Sequence, residues 1–229
     1  MSASYIRSMN RLKRFTIVGI IFVLIWGSIS HFVYEWSGDN LFVGFFFPIN
    51  ESVWEHMKLC FFPMLLYSFY MNRKLKSDYP CITSALLFGI LLSTFLIPIL
   101  FYTYSGILGR NYTFLDISTF VVSVLVSFFV IYKLTLSCKM EPYTALLKSA
   151  ILAMTVCFIL FTYLPPDLGI FAPQARQENA VHSVTTLQTS TQLSKPEYSS
   201  NSSKDSSMAL LELPHAGNTV SKRFSDTSR

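Results

Sequence analysis

Charge is what this sequence has least of. Only 14% of its 229 residues are Asp, Glu, Lys or Arg, against about 25% in an ordinary soluble domain, and 52% are hydrophobic. The short signatures of familiar soluble chemistries are missing too. There is no G-x-S-x-G, no P-loop, no G-x-G-x-x-G and no H-E-x-x-H, and the polar loops are too short to hold a nucleotide-binding domain. The four cysteines, Cys60, Cys81, Cys138 and Cys157, show no CxxC spacing, so the sequence suggests neither a disulfide framework nor a zinc site. Cys60 and Cys157 read as small buried apolar residues.

What is present is a set of five apolar runs, at 15–34, 53–71, 82–104, 113–135 and 144–164. Each reaches or approaches the roughly 20 residues that cross a hydrocarbon layer of about 30 Å. Lipid leaves unpaired backbone groups without partners, so each run is expected to be a helix. The first and third runs carry no charged residue, whereas the second holds Glu55 and Lys58, the fourth Asp116 and Lys133, and the fifth Lys148. A soluble all-α protein is the alternative, but 85–104 offers no charged face to water. The start could also be a signal peptide, with Arg7, Arg11, Lys13 and Arg14 before an apolar core, although that core is long for one. The expected fold is an all-α, five-span membrane bundle over residues 1–171, with the lipid bilayer as its main partner.

Lys and Arg beside the spans set orientation. The N-terminal arm, the 72–81 loop (Arg73, Lys74, Lys76) and the 137–143 loop (Lys139) are basic, so these regions are expected in the cytoplasm of a cell-membrane protein and the C-terminal tail outside. The net charge of +5 lies within residues 1–164 and calls for no nucleic-acid partner. The tail, 172–229, is Ser/Thr-rich, as in Ser199-Ser200-Asn201-Ser202-Ser203, and is expected to be disordered, with 208–213 at most a transient helical turn. Asn201 and Asn111 begin glycosylation-type triplets, which matter only in a secretory pathway.

Pro63 and Pro98 fall inside the second and third runs, where each removes a backbone donor and is expected to kink its helix. The segment 41–49 is too short to span and reads as a re-entrant or interfacial piece leading into a dense polar cluster at 50–58. Ser52-Val53-Trp54-Glu55 matches a capping box, in which Ser52 accepts from the Glu55 amide and Glu55 reaches back to the Ser52 amide. Lys58 is placed for an ion pair with Glu55 and a cation–π contact with Trp54. These spacings make Ser52, Glu55 and Lys58 structural polar residues. His56 lies about 100° around the helix from Glu55, on a stripe with Cys60, Pro63 and Tyr67, and no local group is evident to satisfy it.

His31 and Glu35 are four apart on one face, which allows a local His–carboxylate hydrogen bond. With five spans, both histidines of the bundle and all its acids except Asp78 and Glu141 gather at the outer end, beside Tyr104, Thr162 and Tyr163. Ionisable groups at membrane depth are costly and so point to function; an ordinary solvated rim with interfacial aromatics is the plain alternative. The candidate ligand-binding residues are His31, Glu35, Glu51, His56 and Asp116. They suit binding or transport of a small polar or ionic ligand. The runner-up is a membrane-embedded metal-dependent hydrolase, with His31 and His56 as candidate metal ligands and an open position for water. A non-catalytic scaffold is the third reading.

The stretches His31-Phe32-Val33-Tyr34-Glu35-Trp36-Ser37-Gly38, Phe47-Pro48-Ile49-Asn50-Glu51-Ser52-Val53-Trp54-Glu55-His56-Met57-Lys58-Leu59 and Phe61-Phe62-Pro63 resemble a family of small bacterial multi-pass membrane proteins known only as a domain of unknown function. Phe161-Thr162-Tyr163-Leu164-Pro165-Pro166 is similar to its closing motif, where His or another residue can stand at the position of Leu164. The similarity covers about 15–171 and implies a polytopic protein of a bacterial cell membrane. It implies no substrate and no catalytic roles.

Overall fold

The computed structural model describes residues 3–173, with side chains from Ile6 onward. Six α-helices follow one another: α1 (Ala3–Trp36), α2 (Leu41–Gly44), α3 (Val53–Leu75), α4 (Ile82–Leu108), α5 (Thr113–Ser137) and α6 (Thr144–Tyr163). Short 3-10 turns precede α6 and follow it at Gly169–Phe171. Among the described residues there is no strand, only an isolated bridge that pairs Ser52 with Pro173. The expected tail disorder, the helical turn at 208–213 and the Asn201 triplet lie outside the described residues.

The five long helices stand where the five apolar runs are. Four of them, α1, α4, α5 and α6, are long and apolar enough to cross a membrane. The fifth, α3, is 23 residues long but carries Glu55, Lys58, Arg73 and Lys74, and it is the most enclosed helix, with Met57, Cys60, Phe61, Met64, Met71 and Leu75 almost fully buried. The helix α1 begins well before the apolar run, so the basic arm is a helical extension of the first span. Both α3 and α4 run continuously through Pro63 and Pro98.

The distribution of side chains is that of a protein dissolved in lipid. Ile17, Ile21, Ile25, Phe95, Ile99, Leu125, Phe129, Leu152 and Val156 are all exposed, a cost no water-soluble bundle sustains around its whole circumference. Inside, the helices meet on small and hydroxylic residues: Ser93 and Thr94 of α4 and Ser123 and Ser127 of α5 are fully buried. Most of these hydroxyls donate to a carbonyl of their own helix, as Thr94 does to Ile90 and Ser123 to Thr119. Small residues let helix backbones approach where lipid provides no hydrophobic drive.

The helix α1 shows this device most clearly. Its buried stripe is Leu12, Thr16, Gly19, Val23, Gly27 and Ser30. A Cβ on Gly27 would come within 2.8 Å of the Leu59 carbonyl oxygen of α3 and 2.5 Å of the Phe120 ring of α5. At the basic end α1 is tied down by Arg11, whose guanidinium donates to Asp78 (2.7 Å) and to the Lys74 carbonyl (2.8 Å), and the Tyr67 hydroxyl donates to the Phe15 carbonyl.

One expectation is overturned at that same end. Cys81, just before α4, and Cys138, just after α5, form a disulfide with Cα atoms 5.2 Å apart. Spacing along the chain hides this pair, because 57 positions separate the two residues and only the antiparallel return of α5 along α4 brings them together. Cys60 is buried as expected, while Cys157 is only half-buried.

Candidate functional site

The site is built at the other end of the bundle, where α1 finishes and α3 begins. Asn40 caps α2, its side-chain oxygen accepting from the Phe42 amide. Ser52 caps α3, with its hydroxyl accepting from the Glu55 amide at 3.3 Å. The reciprocal half of the capping box does not form. The Ser52 amide donates instead to the Asn50 side chain (2.9 Å), and the Glu55 carboxylate turns inward.

There Glu55 meets Lys58, and both are buried, with side-chain exposures of 2% and 0%. The Lys58 ammonium donates to Glu55 (2.7 Å), to the Gly44 carbonyl (3.0 Å) and to the Thr162 hydroxyl (2.7 Å), while the Glu55 carboxylate also accepts from the Ile49 amide (3.1 Å). One buried ion pair thus fastens the α2 turn, the segment before α3 and the end of α6 to one point. All three ammonium protons have partners, the condition under which a charge is tolerated in a low-dielectric interior. Trp54 is not stacked against Lys58; its ring packs on Phe158, Phe161 and Phe171. Tyr163 closes the arrangement by donating to the Leu41 carbonyl.

Beside this fastening lie the two histidines. Nε2 of His31 is 3.2 Å from one Glu51 oxygen, and Nε2 of His56 is 3.4 Å from the other. The three ligand-capable atoms are all within 4.8 Å of one another. His56 Nδ1 lies 2.9 Å from the Ser52 carbonyl. A carbonyl can only accept, so Nδ1 donates there, and Nε2 meets the Glu51 carboxylate through a proton or a cation, since two acceptors facing each other repel. The expectation that nothing local satisfies His56 therefore fails at Nδ1. The His31 imidazole beside Glu51 holds its carboxyl below the usual carboxylate range. Glu51 is largely exposed and the imidazoles partly so, which leaves the cluster open to solvent.

The five candidate residues divide. His31, Glu51 and His56 come together. Glu35 stays out of the trio, and His31 turns to Glu51 instead of to its helix neighbour. Asp116 accepts a hydrogen bond from Tyr104, and with His56, Phe101 and Phe120 it lines a separate cavity of about 20 Å³, room for a single water. The links from Lys58 to Gly44 and Thr162 had no legible signal in the sequence, since they cross from one chain segment to another.

Comparison with known proteins gives this geometry a family. The sequence matches a family of unknown function, DUF6512, over residues 4–179. The chain belongs to that family. The match takes in every described helix and so the whole of the His31–Glu51–His56 cluster. No curated protein and no solved structure matches the chain.

Proposed function

We propose that this membrane protein binds a small cation, a divalent transition metal such as zinc, between His31, Glu51 and His56 at the extracytoplasmic end of the bundle. The observation that carries the reading is the convergence of two imidazole nitrogens on one carboxylate, at 3.2 and 3.4 Å. Ligand atoms around a tetrahedral zinc with bonds of 2.0–2.2 Å lie about 3.3–3.6 Å apart, so the nitrogen–carboxylate distances suit one ion, which would draw together the two imidazoles that now meet different oxygens of Glu51. Two imidazoles and a carboxylate are a donor set suited to zinc and its neighbours in the first transition row. The Nδ1–H of His56, given to a backbone carbonyl, is the outer-sphere contact that orients a metal-binding imidazole.

Each ligand comes from a different segment: His31 from α1, Glu51 from the connecting loop, and His56 from α3. A bound ion would therefore also staple these segments together. Three protein ligands leave a position free, which favours as a second reading a metal-activated water and hydrolysis at the outer leaflet.

The test is zinc titration of the purified, chelator-stripped chain. Wild type is expected to take up one ion per chain, and His56→Ala to weaken binding by at least about 100-fold, since even outer-sphere changes cost 10–100-fold. Ser52→Ala keeps the carbonyl that orients His56, so it should keep zinc while losing about 0.5–2 kcal/mol of stability with the cap. Equal behaviour of the two variants would overturn the proposal. Hydrolysis of a lipid or peptide bond by the zinc-loaded chain would select the second reading.

A further inference from the structure

Arg7, Arg11 and Arg14 recur at spacings of four and three and so form one stripe on α1. The stripe ends where the apolar span starts, with Phe15, Ile17 and Val18 immediately following. Arg11 is committed to Asp78 and the Lys74 carbonyl. Arg7 and Arg14 are exposed, and neither is in an ion pair with the acidic side chains of the described residues.

Between α1 and α3 an open groove of about 380 Å³ is lined by Arg11, Arg14, Phe15, Val18 and Tyr70. A second hollow of about 430 Å³ shares Arg11 and Arg14 with it and adds Arg7 and Asn10. The groove is thus cationic at its mouth and aromatic and aliphatic along its length, where Phe15 and Tyr70 lie 5.9 Å apart and Val18 is half exposed. The Lys74 ammonium sits 6.0 Å from the Tyr70 ring centre.

We propose that this groove and the adjoining hollow together form a binding site for an anionic glycerophospholipid, with its phosphate in the hollow between Arg7 and Arg14 and an acyl chain along Phe15, Val18 and Tyr70 of the groove. The charge selects the headgroup and the depth selects a lipid. Guanidinium groups at the level where the hydrocarbon begins meet phosphate oxygens in planar, two-pronged hydrogen bonds, and the apolar wall continues into the layer that holds the acyl chains. A zwitterionic choline lipid would bring an ammonium toward the same guanidinium groups. The site is independent of the histidine cluster, which lies at the opposite end.

Native mass spectrometry of the detergent-purified chain, with added phosphatidylglycerol or phosphatidylcholine, tests the proposal. Wild type should retain phosphatidylglycerol in preference to phosphatidylcholine. Arg7→Gln with Arg14→Gln should weaken its retention roughly 10- to 30-fold, since each basic residue near an anionic lipid contributes about a factor of five. The control, Lys133→Gln with Lys139→Gln, removes the same charge from the same end of the bundle outside the groove and should leave retention unchanged. Inorganic phosphate should compete poorly, because it has no chain to lay in the groove. Equal losses in the two double variants would mean diffuse charge attraction and overturn the proposal. So would an absence of headgroup preference in wild type, or full displacement by inorganic phosphate.

Discussion

His31 and His56 hold their rings 5.5 Å apart although they belong to different helices, and the closeness is permitted one turn further into the bundle. There Gly27 lies against the Leu59 carbonyl and the Phe120 ring so tightly that a Cβ would stand 2.8 and 2.5 Å from them. The absence of one carbon thus permits the close approach of α1 to α3 beside the candidate ligands.

Gly27→Ala should push α1 away from α3 and cost about 1–3 kcal/mol, the usual penalty for overpacking. Zinc affinity should fall with it, because His31 moves with the helix. Gly106→Ala is the control: nothing lies within 4 Å of its added Cβ, and a helical Gly→Ala change stabilises by roughly 0.5–1 kcal/mol. Thermal unfolding in detergent and zinc titration of both variants check this, and undiminished zinc binding by Gly27→Ala would detach the helix approach from the site.

Lys58→Met should destabilise the bundle by about 3–5 kcal/mol, because it leaves the Glu55 carboxylate buried and uncompensated. Lys58→Met combined with Glu55→Leu should cost less than the sum of the single changes, since two apolar side chains carry no desolvation penalty. A double-mutant cycle on unfolding in a denaturing detergent reads this directly. Additive losses would show that the pair at 2.7 Å is not a coupled unit.

The disulfide yields a prediction about compartment. The Lys and Arg counts lead us to expect its end of the bundle in the cytoplasm, where cysteines are kept as thiols. Cys81 and Cys138 should therefore be reduced in growing cells quenched with acid, and should join on oxidation in isolated membranes because their Cα atoms are already 5.2 Å apart. Closing a loop of this length stabilises by up to about 4 kcal/mol, so reductant should lower the unfolding temperature of the oxidised protein. A bond already present in quenched cells would put this end in an oxidising compartment and reverse the orientation.

How far the sequence reaches is visible in these same residues. The apolar runs are long and largely free of charge, so the five long helices could be read, although α1 begins well before its apolar run because the basic arm continues the helix, and the Ser52 cap followed from local spacing. The clustering of His31, Glu51 and His56 needed only the inference that helix ends alternate between the two sides. The partner of each group was harder. Glu35 is the helix neighbour of His31, yet Glu51 makes the contact because the polar loop folds back over the end of α1. Glu55 leaves the cap for Lys58 because an ammonium beside Gly44 and Thr162 needs a counter-charge more than the Ser52 amide needs a second acceptor. The cysteine pair depends on which loops share an end and on the rotation of two helices, and a linear spacing rule contains neither.

The most direct measurement is X-ray absorption at the zinc edge of the metal-loaded chain. The proposed site predicts two imidazole nitrogens at about 2.0–2.1 Å with one or two oxygens at about 2.0–2.2 Å, and one imidazole fewer in His31→Ala and in His56→Ala. A spectrum without imidazole scattering, or one dominated by sulfur at about 2.3 Å, would contradict the account.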